Sequence, residues 1–540
     1  MADAESSGRV RLGLERIVRF FERVLPTDPR ANLQVVHVTG TNGKGSVCAL
    51  VAEALDAAGY RAGTFNSPHF LEPRDAARIQ GHPMPAAEYA ELRRWISELD
   101  RKAESSEGPL TLFEQATVAA VWWFAQRKVD VAVIEVGMGG LRDATNVFGT
   151  PDGRSSLGVG RSLVQCICPI GMDHVGMIGS TVEEIAHEKS GIVRPGAWVV
   201  VAGQERAEAF HRIRQIAHRL SPGRVVNVRR QPMYDLHVPG FSIAHESATA
   251  LRASPPVPSW ASFNGTGRRC LRARYPPTLE GQSPVAATEL DLPLMLPGDY
   301  QAGNAGVAFY ALDVLRTKYG FDRLTDSAIQ AGFHNVRWPG RLSWLRLGGD
   351  RTPASQRSST SSSASGSSCC SGGDSLDAWI LADGAHNEPA AAELRKYVDT
   401  TLRRIGQQRY IHATTRGRSL QDVPRVRWIV GFSRGKDVAA LLSRLAHPGD
   451  SVWAVPFSQP EEMPWVSCTD AEEIRAAAEA AGLEAACYAS LADALERLLA
   501  AEQSDDAHLT VLCGSLYLVA DLYRELQISP FGEESMTAAD

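Results

Sequence analysis

Between residues 40 and 46 the chain reads Gly-Thr-Asn-Gly-Lys-Gly-Ser, and these residue types at this spacing can hold a phosphate. Glycines let backbone N–H groups close around an anion, Lys44 can neutralise a β- or γ-phosphate, and Ser46 can reach phosphate or metal. The general spacing G-x4-G-K-[ST] is not met: position 38 is Val, and Gly45 separates Lys44 from Ser46. An ordinary Gly-rich turn is the competing reading. Glu135 ends the apolar run Val129 to Val136, where a carboxylate is costly unless it is paired or bound to metal. Other residues have plainer readings of their own. His174 can be a hydrogen-bonded loop histidine, Ser67 a turn or cap residue, and Lys189 a solvated helix lysine. Arg341 can be a surface charge after a Pro-Gly turn, and Asp383 a turn residue before Gly384.

These residues need elements to position them. Residues 9–24 carry apolar side chains at helical spacing, which predicts an amphipathic helix. Leu33 to Val38 reads as a buried strand running into the Gly-rich turn, and Val47 to Gly59 as a helix ended by glycine. Val129 to Val136 is a second strand, and a helix over Val182 to Gly191 carries Lys189. Strands alternating with helices predict a parallel sheet flanked by helices, with ligands at the carboxyl ends of its strands. Three stretches read as insertions: 149–161 (Gly- and Ser-rich), 222–285 (Pro and Arg without periodicity) and 350–376, where serine repetition predicts disorder. Beyond them come a strand at Ala378–Ala382, a helix from about Pro389 and a strand at Val426–Val430. A domain boundary is expected near Leu296–Gly298.

Composition narrows the partners. Lys plus Arg is 56 against 62 for Asp plus Glu, a formal charge of −6, so no basic field gathers nucleic acid and any polyanion needs a local site. No run of 18 apolar residues is present, so no membrane span is expected. The N-terminus lacks an apolar signal core, and nine scattered cysteines without a zinc spacing point to the reducing cytosol.

The string Gly40 to Ser46 resembles the nucleotide loop of the Mur ligase superfamily, and specifically the dihydrofolate synthase/folylpolyglutamate synthase family. Ten further motifs stand in that family's order: Leu12-Gly-Leu-Glu-Arg-Ile17 before the loop, then Ser67-Pro-His-Phe70, Glu135-Val-Gly-Met-Gly-Gly140, Asp143-Ala-Thr-Asn146, Gly171-Met-Asp-His174, Glu188-Lys-Ser-Gly191, Gln301-Ala-Gly-Asn304, Trp338-Pro-Gly-Arg341, Asp383-Gly-Ala-His-Asn387 and Gly514-Ser-Leu-Tyr517 after it. The resemblance implies an α/β fold: an N-terminal phosphate-loop ATPase domain over 1–297, a smaller Rossmann-like domain over 298–540, and the site in the cleft between them.

It implies a site as well. Thr41, Asn42, Gly43, Lys44, Gly45 and Ser46 would hold ATP, completed by Asn304, Arg341, Asp383 and His386. Ser67, Glu135 and His174 would bind Mg²⁺, and a carbamylated Lys189 would bind a second ion; K⁺ is an optional addition. Lys44, Lys189 and His174 would carry the chemistry. Leu12 from the first helix, Thr111, Phe113, Glu114 and Asp143 would line the pterin side, with Phe113 stacking and Asp143 accepting from amino-pyrimidine donors. The family's usual Arg-Leu before the Asp-Ala-Thr-Asn motif is inverted here to Leu141-Arg142, and its usual Ala is Ser190.

The implied reaction is ATP-dependent ligation of L-glutamate to 7,8-dihydropteroate through an acyl phosphate. Ala144, the absence of a Glu before Arg78-Ile79, and Glu462-Met-Pro-Trp-Val466 favour a fungal-type dihydrofolate synthase. Folylpolyglutamate synthesis on tetrahydrofolate, or both activities, is the alternative, and a non-catalytic nucleotide-binding protein is a distant third. The expected partners are small molecules alone, in a cytoplasmic monomer, with a mitochondrial pool left open.

Overall fold

The computed structural model describes residues 11–24, 33–102, 107–152, 159–228, 270–275, 288–347, 379–403, 425–501 and 509–531. At its centre lies Gln34–Thr39 (β1), buried at every position after the first, as a strand covered on both faces should be. Around it run Ala62–Phe65 (β2), Ala77–Ile79 (β3), His82–Pro83 (β4), Val131–Glu135 (β5), Arg161–Ile167 (β6), Trp198–Val201 (β7) and Val225–Asn227 (β8). The order across this sheet is β4-β3-β2-β5-β1-β6-β7-β8. All pairings are parallel except those of β3 with its two neighbours.

Six helices belong to this part of the chain: Glu15–Val24 (α1), Lys44–Ala57 (α2), Ala86–Arg101 (α3), Leu112–Gln126 (α4), Val182–Ser190 (α5) and Ala207–Leu220 (α6). The first begins later than the periodicity predicts. Gly13 takes φ +140°, a conformation a helix cannot contain, so Leu12 lies in the turn before α1 rather than on it.

Two strands fall where no periodicity was legible. β8 forms the sheet edge, and Cys270–Tyr275 (β9) pairs antiparallel with Thr288–Pro293 (β10). Leu271 and Ala273 alternate as buried positions, a two-residue rhythm hidden among arginines. The rest of the expected insertion at 222–285, most of 149–161 and all of the serine-rich 350–376 lie outside the described residues.

Gln301–Lys318 (α7) and Asp326–Asn335 (α8) follow the expected boundary, yet they pack with the first sheet. Phe309, Leu312, Phe333 and Val336 share one core with Val36, Val47 and Leu50. The cores divide after Val336, about forty residues beyond the expected point. The second sheet runs Ser343–Arg346 (β11), Trp379–Ala382 (β12), Val426–Val430 (β13), Ser451–Ala454 (β14), Glu484–Cys487 (β15) and Leu509–Cys513 (β16). Its order is β11-β12-β16-β13-β14-β15, parallel apart from β11. Glu388–Tyr397 (α9), Val438–Leu445 (α10), Ala471–Ala480 (α11), Leu491–Ala501 (α12) and Leu516–Glu525 (α13) accompany it. No helix among the described residues is long and apolar enough to cross a membrane.

Candidate active site

Parallel strands deliver their following loops to one edge, and here four central strands do so side by side. Asn66 and Ser67 follow β2, Val136 and Gly137 follow β5, Gly40 follows β1, and the turn with Asp173 and His174 follows β6. The second sheet does the same from across the cleft, with Asp383 to Asn387 after β12, Gly431 to Lys436 after β13 and Ser515 after β16. Between them lies a cavity of about 1610 Å³. It is lined by every residue expected at the site except Lys189.

The phosphate loop is braced from several directions. Gly43 sits at φ +93°, and a Cβ there would meet Asn304 Oδ1 at 2.3 Å. A Cβ at Gly45 would come within 2.5 Å of Trp338, so both glycines are demanded by crowding. Thr41 Oγ1 is tied to Gly171, donating to its carbonyl at 3.2 Å and accepting from its N–H at 3.1 Å. Ser46 Oγ accepts from Gln301 Nε2 at 3.2 Å, while Gln301 Oε1 accepts from Asn304 at 2.8 Å. Gln301 is fully buried and is a site residue the spacing argument did not single out. Asn387 donates to Asn42 at 3.3 Å, a direct bond across the cleft.

Lys44 Nζ lies 3.9 Å from Glu135 and donates to the Gly40 carbonyl at 3.2 Å. Lys189 Nζ donates to the same oxygen at 2.9 Å from behind the loop, almost wholly buried. Burial first, and then the Lys44 charge, pull the Lys189 ammonium down to about 7. The amine is therefore largely neutral at slightly alkaline pH. The default of a solvated surface lysine does not hold.

Glu135 is pushed up by burial, against which Lys44, the Asn66 amide, Arg341 and the Ser67 N–H stabilise its charge. Ser67 Oγ is buried beside this carboxylate and has no hydrogen-bond partner among the described residues. Desolvation, with the Lys189 and Lys44 charges, lowers the His174 imidazole from its ordinary value, and Asp173 opposes at 3.6 Å. Among the described residues no group of three His, Cys, Asp or Glu side chains could hold a metal unaided. The Ser67 hydroxyl, with an unused lone pair, and the Glu135 carboxylate suit an ion that keeps several waters and shares phosphate oxygens, which is how Mg²⁺ binds; the His174 imidazole is an unusual addition to such an oxygen set.

On the opposite wall, Asp383 accepts the N–H groups of Leu342 (2.8 Å) and Ala385 (2.9 Å), and burial raises it while Arg341 opposes. His386 Nδ1–H donates to Gly384 at 2.9 Å, leaving Nε2 free to accept, and burial and the Lys436 charge bring it down to about 4. Lys436 thus faces His386 and Asp173 from the second sheet. A lone lysine with no spacing signal, it was not anticipated from sequence.

The expected acceptor wall has structural duties too. Thr111 caps α4, and Glu114 completes the capping box while pairing with buried Arg16 at 2.9 Å. Asp143 takes N–H groups from Met138 (2.8 Å), Gly137 and Thr145 (3.0 Å), and the Thr145 hydroxyl at 2.5 Å. Thr145 in turn accepts from His37 Nε2 at 2.9 Å. Phe113 stacks on Phe65 at 6.0 Å, presses on Gly137 and lines the cavity. The inverted pair is accommodated: Leu141 is exposed, and Arg142 pairs with Glu188 at 3.2 Å. Met463 and Trp465 close this side from the second lobe, on a turn whose Glu462 reaches Tyr89 and Arg93 of α3, each at 3.1 Å.

Two α/β lobes presenting the carboxyl ends of their strands to each other across a phosphate loop define a two-lobed, Mur-type nucleotide-dependent ligase fold. A family model described as "Dihydrofolate synthetase, C-terminal domain" matches residues 373–525. A "Probable dihydrofolate synthetase" of Schizosaccharomyces pombe is 29% identical over 519 residues, covering 96% of this chain and 99% of that protein. The "Dihydrofolate synthetase" of Saccharomyces cerevisiae is 29% identical over 95% and 98% of the two chains. In fold, the chain is similar to the folylpolyglutamate synthase of Mycobacterium tuberculosis solved with ADP and AMPPCP, with TM-score 0.64 and 23% identity over 98% of both chains. Along nearly its whole length the chain is thus similar to dihydrofolate synthetases, and its fold is that of a folylpolyglutamate synthase.

Proposed function

We propose that this enzyme joins L-glutamate to 7,8-dihydropteroate at the expense of ATP, giving 7,8-dihydrofolate, ADP and phosphate. The observation that carries the reading is the single cleft into which one lobe presents the phosphate loop, Glu135 and Phe113, and the other presents Arg341, Asp383 and Lys436. The near-full-length likeness to two fungal dihydrofolate synthetases supports dihydropteroate as acceptor over a folate already carrying glutamate.

An acceptor carboxylate oxygen attacks the γ-phosphorus and ADP departs, leaving an acyl phosphate. The α-amine of glutamate then attacks the acyl carbon, phosphate leaves, and the amine gives up a proton. The work of the protein is positioning and charge stabilisation. Thr41 to Ser46, braced by Gln301 and Asn304, hold the phosphates, and Lys44 and Arg341 offset charge on the moving phosphoryl group. Phe113 offers its face to the pterin, and Lys436 is placed to meet a carboxylate of glutamate. Mg²⁺ held by Ser67, Glu135 and His174, with a second ion on carbamylated Lys189, would neutralise phosphate charge. Neutral Lys189 amine can add to CO₂ with loss of one proton, turning a buried cation into a carbamate. Closure around the acyl phosphate keeps water from it. The reading places the enzyme in the cytosol.

The test is glutamate-dependent phosphate release from Mg-ATP, run in parallel with 7,8-dihydropteroate and with tetrahydrofolate monoglutamate. Activity with dihydropteroate alone is expected. Activity only with tetrahydrofolate would move the enzyme to tail extension, and folded protein silent with both would overturn the ligase reading.

A further inference from the structure

Behind the Glu135 carboxylate runs a chain of contacts through residues that do not line the cavity. Asn66, 3% exposed, donates Nδ2 to Glu135 Oε2 at 2.9 Å. Its Oδ1 accepts from the guanidinium of Arg78, which also donates to the Asp75 carbonyl at 2.5 Å. Arginine has donors only, so it can meet Asn66 solely at the amide oxygen. The amide nitrogen must then face Glu135; turned over, Asn66 would set an oxygen against a carboxylate.

Arg78 is itself buried, at 5% exposed, and two rings from later in the chain hold it. The Phe531 ring lies 4.4 Å beneath its guanidinium carbon, and the Trp338 ring stands at 5.5 Å. Phe531 is steadied edge-on by Phe70, 6.2 Å away, in the turn that also carries Ser67. Trp338 abuts Gly45 of the phosphate loop. We infer that Phe531 is a positioning residue: by stacking on Arg78 it fixes the Asn66 amide in the one orientation that aims Glu135 into the cavity. Docking of Phe531 thereby tightens a metal ligand that it never touches. This rests on Glu135 as a metal ligand, the reading given above.

The experiment follows Mn²⁺ binding to the full chain with a non-hydrolysable ATP analogue, by electron paramagnetic resonance, in wild type, Phe531→Ala, Phe531→Tyr, Asn66→Asp and Glu135→Gln. Groups behind a ligand shape metal affinity by about 10- to 100-fold. Asn66→Asp, which sets a like charge against Glu135, should fall in that range. Phe531→Ala, one contact further out, should weaken Mn²⁺ several-fold, with Phe531→Tyr restoring it and thermal midpoints staying close to wild type. In turnover, the Mg²⁺ requirement of Phe531→Ala should rise while KM for the acceptor holds. Wild-type Mn²⁺ affinity in Phe531→Ala would overturn the inference and leave the metal reading intact. Wild-type affinity in Glu135→Gln would overturn both.

Discussion

Lys44 and Lys189 both donate from their ammonium groups to one carbonyl oxygen, that of Gly40, at 3.2 and 2.9 Å. Lys44 has the Thr41 carbonyl and the Glu135 carboxylate as further partners, whereas Lys189 is almost wholly buried beside the Lys44 charge, so burial first and that charge second act on Lys189. Its pull down to about 7 makes the carbamate accessible, and carbamylation would release the Gly40 carbonyl to Lys44 alone.

The first prediction concerns that lysine. Protein labelled with ¹³C-bicarbonate at pH 8 should show a carbamate carbonyl resonance that is absent in Lys189→Arg. Activity should fall by on the order of 10²–10³-fold in kcat in that variant, because a cation replaces an anion beside the phosphates. Lys44→Met should raise the Lys189 pKa, since the charge that helps depress it is gone; bicarbonate saturation measured against pH should shift upward.

A second prediction lies in the network His37–Thr145–Asp143. Burial first, and the Arg194 charge second, bring His37 down to about 3. Below its unfolded pKa near 6.5 the unfolded chain takes a proton that the native state refuses. His37 should therefore contribute stability in full above about pH 6.5 and lose it progressively toward pH 3. Denaturant midpoints of wild type and His37→Gln across that window should converge as pH falls.

Asp143 is saturated by four internal donors, which makes it a fastener of the 137–145 turn as well as a lining residue. Asp143→Asn would turn an amide against backbone N–H groups and should cost about 1–3 kcal/mol. Urea unfolding measures this apart from any effect on the acceptor.

Phe113→Ala should raise KM for dihydropteroate about tenfold, the scale of one lost base–aromatic stack. KM for ATP should hold, because no brace of the phosphate loop touches this ring. A comparable rise in both constants would place the acceptor elsewhere.

Glu462 joins the lobes through Tyr89 and Arg93. Being partly exposed, the Arg93 pair should be worth less than about 1 kcal/mol of stability. Glu462→Ala should nonetheless shift solution scattering toward a more open distribution of lobe separations. An unchanged scattering profile would make the contact incidental.

Much of both sheets was legible because their central strands are covered on both faces, so β1 and β5 of the first and β13 of the second read as apolar runs with close limits. The phosphate loop, Glu135 and the residues after β12 could be found because each follows such a run. The partition of the chain was not legible: α7 is buried nearly all round, and a helix apolar on every side does not announce which sheet it covers. β9 was hidden because its buried Leu271 and Ala273 are interleaved with Arg272 and Arg274. Gln301 and Lys436 were missed for a different reason. Each acts through one contact or one charge set by tertiary placement, and a single polar residue has no period to detect.

The glycine between Lys44 and Ser46 is the place where this loop departs from the general phosphate-loop spacing, and it is also where Trp338 rests. In a one-lobed phosphate binder nothing need stand over that position, and a side chain there would be harmless. Here any Cβ collides with an indole from the segment that joins the two lobes. The spacing that made the motif look irregular is thus the imprint of the second lobe on the first. A chain that kept its phosphate loop but lost that lobe would be free to drift at residue 45, so the identity of this one residue reports whether the two halves still work together.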